Sequence, residues 1–419
     1  MSPAAVQPET EKHDLLLCRD CGKLQAIAPI SAKQELRCSQ CNSVLHRGVG
    51  EWLQVACALA ITAAVLFVCS VSLPFITLEV GPQSQTATIL DGFWALMERQ
   101  QWVLAGLVIT TVFVFPLFEI FAFLYLLIPY SFNRHLPQQH LILRWLRQVQ
   151  SWSMLEVFML SVLVASVKLA DMAVLRMEIG FYMFTALVMV LILAWIKMDR
   201  SKLWTWIQPH NYFIAHDGEQ VYDCRVCHAM VGESLIDRHN ACPRCLSVLH
   251  KRIPKSLEKS TAFLIAAVLL YIPSNVLPIM TYATLGDVAT DTILSGVIEL
   301  VAAGLWGIAL VVFTASIVVP IAKILILAYL ILSVKVGMKR GIKHRAWLYR
   351  FIEFVGRWSM VDVYVVTMLV ALVQFGFVYT VEPEGAIIAF GVVVVLTMIA
   401  AESFDPRLLW DALDESSSE

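Results

Sequence analysis

Two stretches decide the fold: CRDCGKLQAIAPISAKQELRCSQC at residues 18–41 and CRVCHAMVGESLIDRHNACPRC at residues 224–245. Each is a pair of Cys-x-x-Cys knuckles joined by a short, largely polar segment, the spacing of a zinc ribbon. Two sulfurs from each knuckle complete a tetrahedral site, so Cys18, Cys21, Cys38 and Cys41 form one expected ligand set. Cys224, Cys227, Cys242 and Cys245 form the other. Four thiolates suit zinc or iron, with zinc expected. They leave no position for water, which argues for a structural ion and against hydrolytic chemistry. The remaining cysteines, Cys57 and Cys69, fall in apolar sequence and read as packing residues.

Outward from each ribbon the chain becomes strongly apolar. Of 419 residues 58% are hydrophobic and 15% charged, with a mean hydropathy of +0.71. A soluble domain carries about 25% charged residues, so this composition is that of an integral membrane protein. The polar N-terminus shows no secretory signal. Eight apolar segments approach the roughly 20 residues needed to cross a bilayer as helix. They are expected at 52–73, 102–128, 153–170, 180–197, 261–279, 301–334, 359–379 and 385–401. The sixth is overlong and expected to tilt, to kink near Pro320 or to extend beyond the membrane. The predicted organisation is therefore all-α: a ribbon at 1–50, a four-span module at 51–200, a second ribbon at 201–258, a second four-span module at 259–405 and a tail at 406–419.

Charge sets the orientation. Arg134, Arg144 and Arg147 follow the second segment, and Lys335, Lys339, Arg340, Lys343, Arg345, Arg350 and Arg357 follow the sixth. The alternate loops are instead acidic, with Glu79, Asp91, Asp171, Glu178, Asp287, Asp291, Glu382 and Glu384. The positive-inside rule then puts both termini and both ribbons in the cytoplasm. That reducing compartment favours metal over disulfides. Anionic lipid accounts for the basic loops without nucleic acid.

The repeat continues through the spans. SVLHRG at 43–48 matches SVLHKR at 247–252, and SWSMLEVFML at 151–160 matches RWSMVDVYVV at 357–366. The offset is 204 residues from Pro116 to Pro320 and 206 from Trp152 to Trp358. Four spans per copy make the repeats parallel, related by an axis along the membrane normal.

Few charges enter the apolar segments. Glu119 and Lys323 stand at equivalent positions, each three residues after the paired prolines, so one half supplies an acid where the other supplies a base. Ser316 lies about two helical turns before Lys323. Lys168 and Asp171 are i, i+3 neighbours. An ionisable group in hydrocarbon costs at least about 2.5 kcal/mol, so two readings stand: helix-to-helix glue or a transport pathway. Trp152 and Trp358 open spans, with Glu156 and Asp362 one turn further in. That arrangement reads as an interfacial anchor whose carboxylate pairs with Arg147 or Arg357, or as part of the pathway. No phosphate-binding glycine loop and no nucleophile–base pair is evident, so an enzyme is not expected.

Taken together, the paired knuckles, the W-S-M-x-[DE]-V element and the S-F-D-P-R-x-x-W ending at 403–410 resemble the paraquat-inducible protein A (PqiA/LetA-like) family over nearly the whole chain. That resemblance implies tetraspanin-like spans and zinc on the eight ribbon cysteines. It also implies a polar network of Lys168, Asp171, Ser316, Lys323 and Thr397. By the same resemblance, the chain would be an inner-membrane subunit of a Gram-negative envelope lipid-trafficking system. It would load or extract phospholipid for a periplasmic, hexameric MCE-domain tunnel, and the in-membrane charges would offer a route for proton coupling. The first copy departs from the ending motif, with Lys197, Met198, Asp199 and Arg200 there. The rival expectation is a scaffold or metal/redox sensor that anchors an MCE partner without moving lipid.

Overall fold

The computed structural model describes residues 15–18, 20–26, 35–47, 52–80, 83–169, 174–208, 221–227, 229–234, 236, 241–284, 287–302, 304, 306–338, 341–372 and 379–414. The chain divides into two compact units, Met1–Glu51 with His210–Lys251, and Trp52–Pro209 with Arg252–Glu419. The first unit holds both cysteine stretches. Strands β1 (Leu15–Leu17) and β2 (Leu24–Ala26) pair antiparallel around the first knuckle, and β3 (Glu35–Arg37) and β4 (Val44–Arg47) around the second.

The second unit is helical. Its first half contains α1 (Trp52–Ser72), α2 (Asp91–Glu98), α3 (Trp102–Val108), α4 (Phe115–Ser131), α5 (Gln139–Gln150), α6 (Leu155–Leu169), α7 (Ile179–Lys197) and α8 (Arg200–Ile207). Returning to the first unit, β8 (Val221–Asp223) and β9 (Met230–Gly232) pair antiparallel, and an isolated bridge joins Ala241 to Val248. The helical unit resumes with α9 (Ser256–Val276), α10 (Ile293–Ala302), α11 (Trp306–Phe313), α12 (Val319–Lys335), α13 (Ile342–Gly356), α14 (Val361–Leu372), α15 (Gly385–Ser403) and α16 (Leu408–Asp414). The two halves repeat one plan.

Among the described residues seven helices are long and apolar enough to cross a membrane, so this is a multi-pass membrane protein. The segment expected at 359–379 is seen as a 3-10 turn (Arg357–Met360) leading into α14, and residues 373–378 lie outside those described. The overlong sixth segment is two elements. Val301 and Ala302 end α10, Gly304 turns the chain at φ +79°, and the span itself runs Ala309–Lys335.

Each of the paired prolines follows a π-helical turn, Ile109–Val114 before Pro116 and Thr314–Val318 before Pro320. Proline has no N–H for the carbonyl four residues back, and a widened turn is a common response. Arg144 and Arg147, expected in a loop, lie on α5, an amphipathic helix that buries Leu143 and Leu146 and exposes Trp145.

Helices α1 and α7 form one closely packed pair and α9 and α15 its repeat. Small residues allow the approach: Ala56, Ala60 and Ala63 are fully buried on α1. On α9 hydroxyls serve instead, Ser256 Oγ donating to Ser403 O and Ser260 Oγ to Ala400 O, both at 2.8 Å. The halves meet where α6 packs on α14. There the repeat-equivalent rings of Phe158 and Tyr364 lie 5.7 Å apart, Ser161 Oγ donates to Val361 O at 3.0 Å, and the Tyr364 hydroxyl donates to Thr111 Oγ1 at 2.7 Å.

The acidic loops hold a feature the sequence did not announce. Each half builds a three-stranded antiparallel sheet: β5 (Ile76–Val80) between β6 (Gln83–Ala87) and β7 (Val174–Met177), and β10 (Met280–Thr284) between β11 (Asp287–Asp291) and β12 (Tyr379–Pro383). Thr77 donates to Glu178 and Thr281 to Glu384, each at 2.9 Å, tying the central strand to the start of the last span.

At that corner Gly180 N donates to Pro74 O at 2.9 Å, and a Cβ on Gly180 would lie 2.5 Å from the same oxygen. The second half carries Ala386 in the equivalent place. Gly180→Ala is therefore expected to destabilise the helical unit by about 1–3 kcal/mol through forced backbone displacement. Ala386→Gly costs at most about 1 kcal/mol. Thermal unfolding of the two variants in detergent checks this, and equal shifts would sink it.

Candidate functional site

The local backbone explains why the knuckles form. Cys18 N donates to Lys23 O and Gly22 N to Cys18 O; Cys38 and Asn42 repeat the pattern, as do Cys242 and Leu246. The residue after each of these knuckles, Gly22 (φ +75°), Asn42 (+59°) or Leu246 (+57°), takes the left-handed conformation that closes the turn. Gly and Asn do so cheaply; Leu is strained.

The four sulfurs of each set converge within 4.8 Å of one another. The closest pairs are Cys18–Cys41 at 3.4 Å, Cys21–Cys38 at 3.6 Å, and Cys224–Cys245 and Cys227–Cys242 at 3.5 Å. Those separations are far too long for disulfides and suit four sulfurs around one ion. Both clusters are therefore able to hold a metal.

A hydroxyl supports each cluster. Ser43 Oγ lies 3.2 Å from Cys18 Sγ and 3.1 Å from Cys41 Sγ; Ser247 Oγ lies 3.3 Å from Cys224 Sγ and 2.9 Å from Cys245 Sγ. Gln25 Nε2 donates to Cys38 Sγ at 2.9 Å. Such donors stabilise thiolates. The neighbouring Cys21 thiol, with help from Ser43, holds the Cys18 thiol well below the usual cysteine range. The sequence marked these serines only as part of the repeated SVLH.

Lys323 and Glu119 are both buried, and each stays within its own half. Lys323 is 3% exposed on α12, and its Nζ donates to Gly356 O and Ser359 Oγ, both at 3.3 Å. Glu119, 2% exposed on α4, accepts from Trp195 Nε1 at 3.4 Å, and its Oε1 has no hydrogen-bond partner. No described ion pair joins the two. Ser316 and Thr397 are also buried, but each donates to its own helix, to Val312 O at 2.6 Å and to Val394 O at 2.8 Å. Among the described residues no hydrogen bond links them to Lys323. Asp171 and the side chains of Lys168, Arg357 and Asp362 lie outside those described.

At the entrance of α6, Trp152 is half-buried and Glu156 exposed; Trp358 is also exposed. No described ion pair joins Glu156 to Arg147. Instead Glu156 lines a cavity of about 170 Å³ with Glu119, Gln150, Ser153 and Trp195. Arg200 bonds Gln150 Oε1 at 3.0 Å and lies over the Trp195 ring at 4.9 Å. Burial, with Arg147 nearby, draws its guanidinium down to about 10, still charged at neutral pH. Sequence reading missed Gln150, Ser153 and Trp195 because they come from the end of α5, the turn that follows it and α7.

The S-F-D-P-R ending is a staple. Asp405 accepts from Ile253 N at 3.2 Å and from Arg407 N at 3.1 Å, its own N–H donates to Ser256 Oγ at 2.9 Å, and Arg252 pairs with Asp411. Asp199, its counterpart, caps α8 by accepting from Lys202 N at 3.2 Å.

These features define a class: a duplicated multi-pass membrane protein with one tetracysteine cluster preceding each helical repeat. The profile of the paraquat-inducible protein A family matches residues 53–208 and again 257–414, and the chain belongs to that family. It is 31% identical to the intermembrane transport protein PqiA of Escherichia coli K12 over 97% of this chain and 98% of the relative. It is 28% identical to the lipophilic envelope-spanning tunnel protein A of the same organism, over 99% and 95%. A probable intermembrane transport protein of Haemophilus influenzae is 30% identical over 96% of each chain. No solved structure matches.

Proposed function

We propose that this chain is the inner-membrane subunit of an MCE-type lipid trafficking system, passing phospholipid between the inner membrane and a periplasmic MCE tunnel. The observation that carries this reading is end-to-end similarity to proteins named for intermembrane transport and for an envelope-spanning tunnel. A soluble-domain match or a match to one repeat alone would not have supported it. The buried Lys323 and Glu119 fit a route through the bundle, since such charges are costly to keep in hydrocarbon. Proton movement through these charges is the proposed drive.

In this reading the eight cysteines hold two zinc ions that staple the ribbons. Both ribbons and both termini are cytoplasmic, and the sheets face the periplasm, where an MCE hexamer docks. The organisation is 1–50 ribbon, 51–200 spans, 201–258 ribbon and 259–405 spans, with 406–419 a tail. The test is reconstitution of the full chain with its periplasmic partner between donor and acceptor vesicles. Transfer of labelled phospholipid that depends on both proteins is the expected result. A stable complex that moves no lipid would overturn transport and leave the scaffold.

A further inference from the structure

The internal repeat supplies its own comparison for the Glu119 cavity. Lys323 and Glu119 are equivalent, and so are Gly356 and Gln150, Ser359 and Ser153, and Asp362 and Glu156. In the second half the ammonium of Lys323 sits on Gly356 O and Ser359 Oγ. In the first half the counterparts of both partners, Gln150 and Ser153, line the cavity, and the side chain that would have filled it is a carboxylate. One oxygen of that carboxylate is buried without a hydrogen-bond partner, although Glu119 is only 2% exposed. A second carboxylate, Glu156, also lines the cavity. Among the described residues neither pairs with a cation.

We propose that this pocket binds a primary ammonium from outside the chain, in the place that the Lys323 amine occupies in the other half. Three features favour that ligand. A buried carboxylate oxygen with no partner is satisfied by an N–H donor. A primary ammonium carries three such donors, enough for Glu119, Ser153 and Glu156 together. The volume, about 170 Å³, is well beyond the roughly 10–15 Å³ that a single water needs, so an alkylammonium arm fits with its charge. Trp195 Nε1 holds the other oxygen of Glu119 and so orients the carboxylate.

The amine has two possible sources, a phospholipid headgroup or a free small amine. Glu156 and Ile196 line the pocket and are themselves exposed, so it opens on the outer surface of the bundle near the Lys197 end of α7. A headgroup lies at such a level of a bilayer. Arg200, bonded to the lining residue Gln150, is the neighbouring cation for the phosphate of the same headgroup. Only the headgroup source rests on the lipid-transport reading.

The test uses the full chain in detergent. Native mass spectrometry compares retention of phosphatidylethanolamine, phosphatidylcholine and phosphatidylglycerol, and thermal unfolding is followed with ethanolamine as the free probe. Retention of phosphatidylethanolamine over the other two, lost more than tenfold in Glu119→Gln, supports the headgroup source. Stabilisation by ethanolamine without lipid preference, again lost in Glu119→Gln, supports the free amine. Equal retention of all three lipids with no ethanolamine effect overturns the proposal. Should Glu119→Gln fold poorly, Glu119→Lys recreates the arrangement of the second half: it is expected to fold and bind no amine, and wild-type amine binding by it would be equally fatal. No partner or transport step enters these measurements, so failure here and failure of the transport reading are distinguishable.

Discussion

Cys242→Ser is expected to empty the second metal centre and unfold its ribbon while the first centre keeps its ion. Cys242 is fully buried at the junction of the cluster, 3.5 Å from Cys227 Sγ, and serine offers neither the soft donor nor the bond length that the site needs. The ribbon has little else to hold it. Its described regular structure is one hairpin of three-residue strands, a single bridge and the helical residues Glu233, Ser234 and Ile236, too little to bury a core of its own. Structural zinc binding is worth about 10–16 kcal/mol in small zinc-dependent folds, so loss of the ion is loss of the fold. Elemental analysis is expected to fall to half the wild-type metal content, and limited proteolysis to open the 221–249 region. Full metal content in Cys242→Ser would end the four-thiolate reading. Ser247→Ala is the milder partner: it removes the hydroxyl from Cys224 and Cys245 and is expected to weaken metal retention about 10–100-fold without emptying the site.

What could be read without coordinates was what the chain writes locally. Two Cys-x-x-Cys pairs fix a ligand set by covalent spacing, and a run of apolar residues fixes a span by length. The duplication was legible for the same reason, since Pro116 and Pro320 or Trp152 and Trp358 need only a common offset. The three-stranded sheets were hidden because β7 and β12 come from chain far downstream of the strands they join, and each strand is only four or five residues long. Helix α5 was taken for a basic loop because Arg144 and Arg147 dominated a segment whose apolar face is short. A kink near Pro320 was one of the expectations for the sixth segment, but not that a π turn would precede both Pro116 and Pro320 and shift Ser316 relative to Lys323. The Glu119 cavity gathers side chains from α4, the end of α5, α6 and α7, and no spacing rule connects them. Its legible sign was the swap of acid for base at one repeat position.

Lys323→Met is expected to leave a folded, normally abundant protein that moves lipid at less than a tenth of the wild-type rate. The two halves of that expectation have separate causes. Burying an ammonium is costly, and Lys323 recovers only two bonds of 3.3 Å, to a carbonyl and a hydroxyl, with no carboxylate among its described partners. Replacing such a charge with an apolar side chain of similar length is often neutral or stabilising. Neither partner is stranded, because Ser359 Oγ also donates to Gly356 O at 2.9 Å. Ser359→Ala works the other way: the ammonium stays and loses one of its two partners, a change expected to cost about 1–3 kcal/mol. If Lys323 served only to hold helices together, Met would be tolerated in function as well as in fold, and Ser359→Ala would be the more harmful change in every assay. If Lys323 carries the transport pathway, the order reverses between assays, with Ser359→Ala worse in thermal unfolding and Lys323→Met worse in lipid transfer. Loss of abundance and transfer in equal proportion in Lys323→Met would return the residue to structural glue.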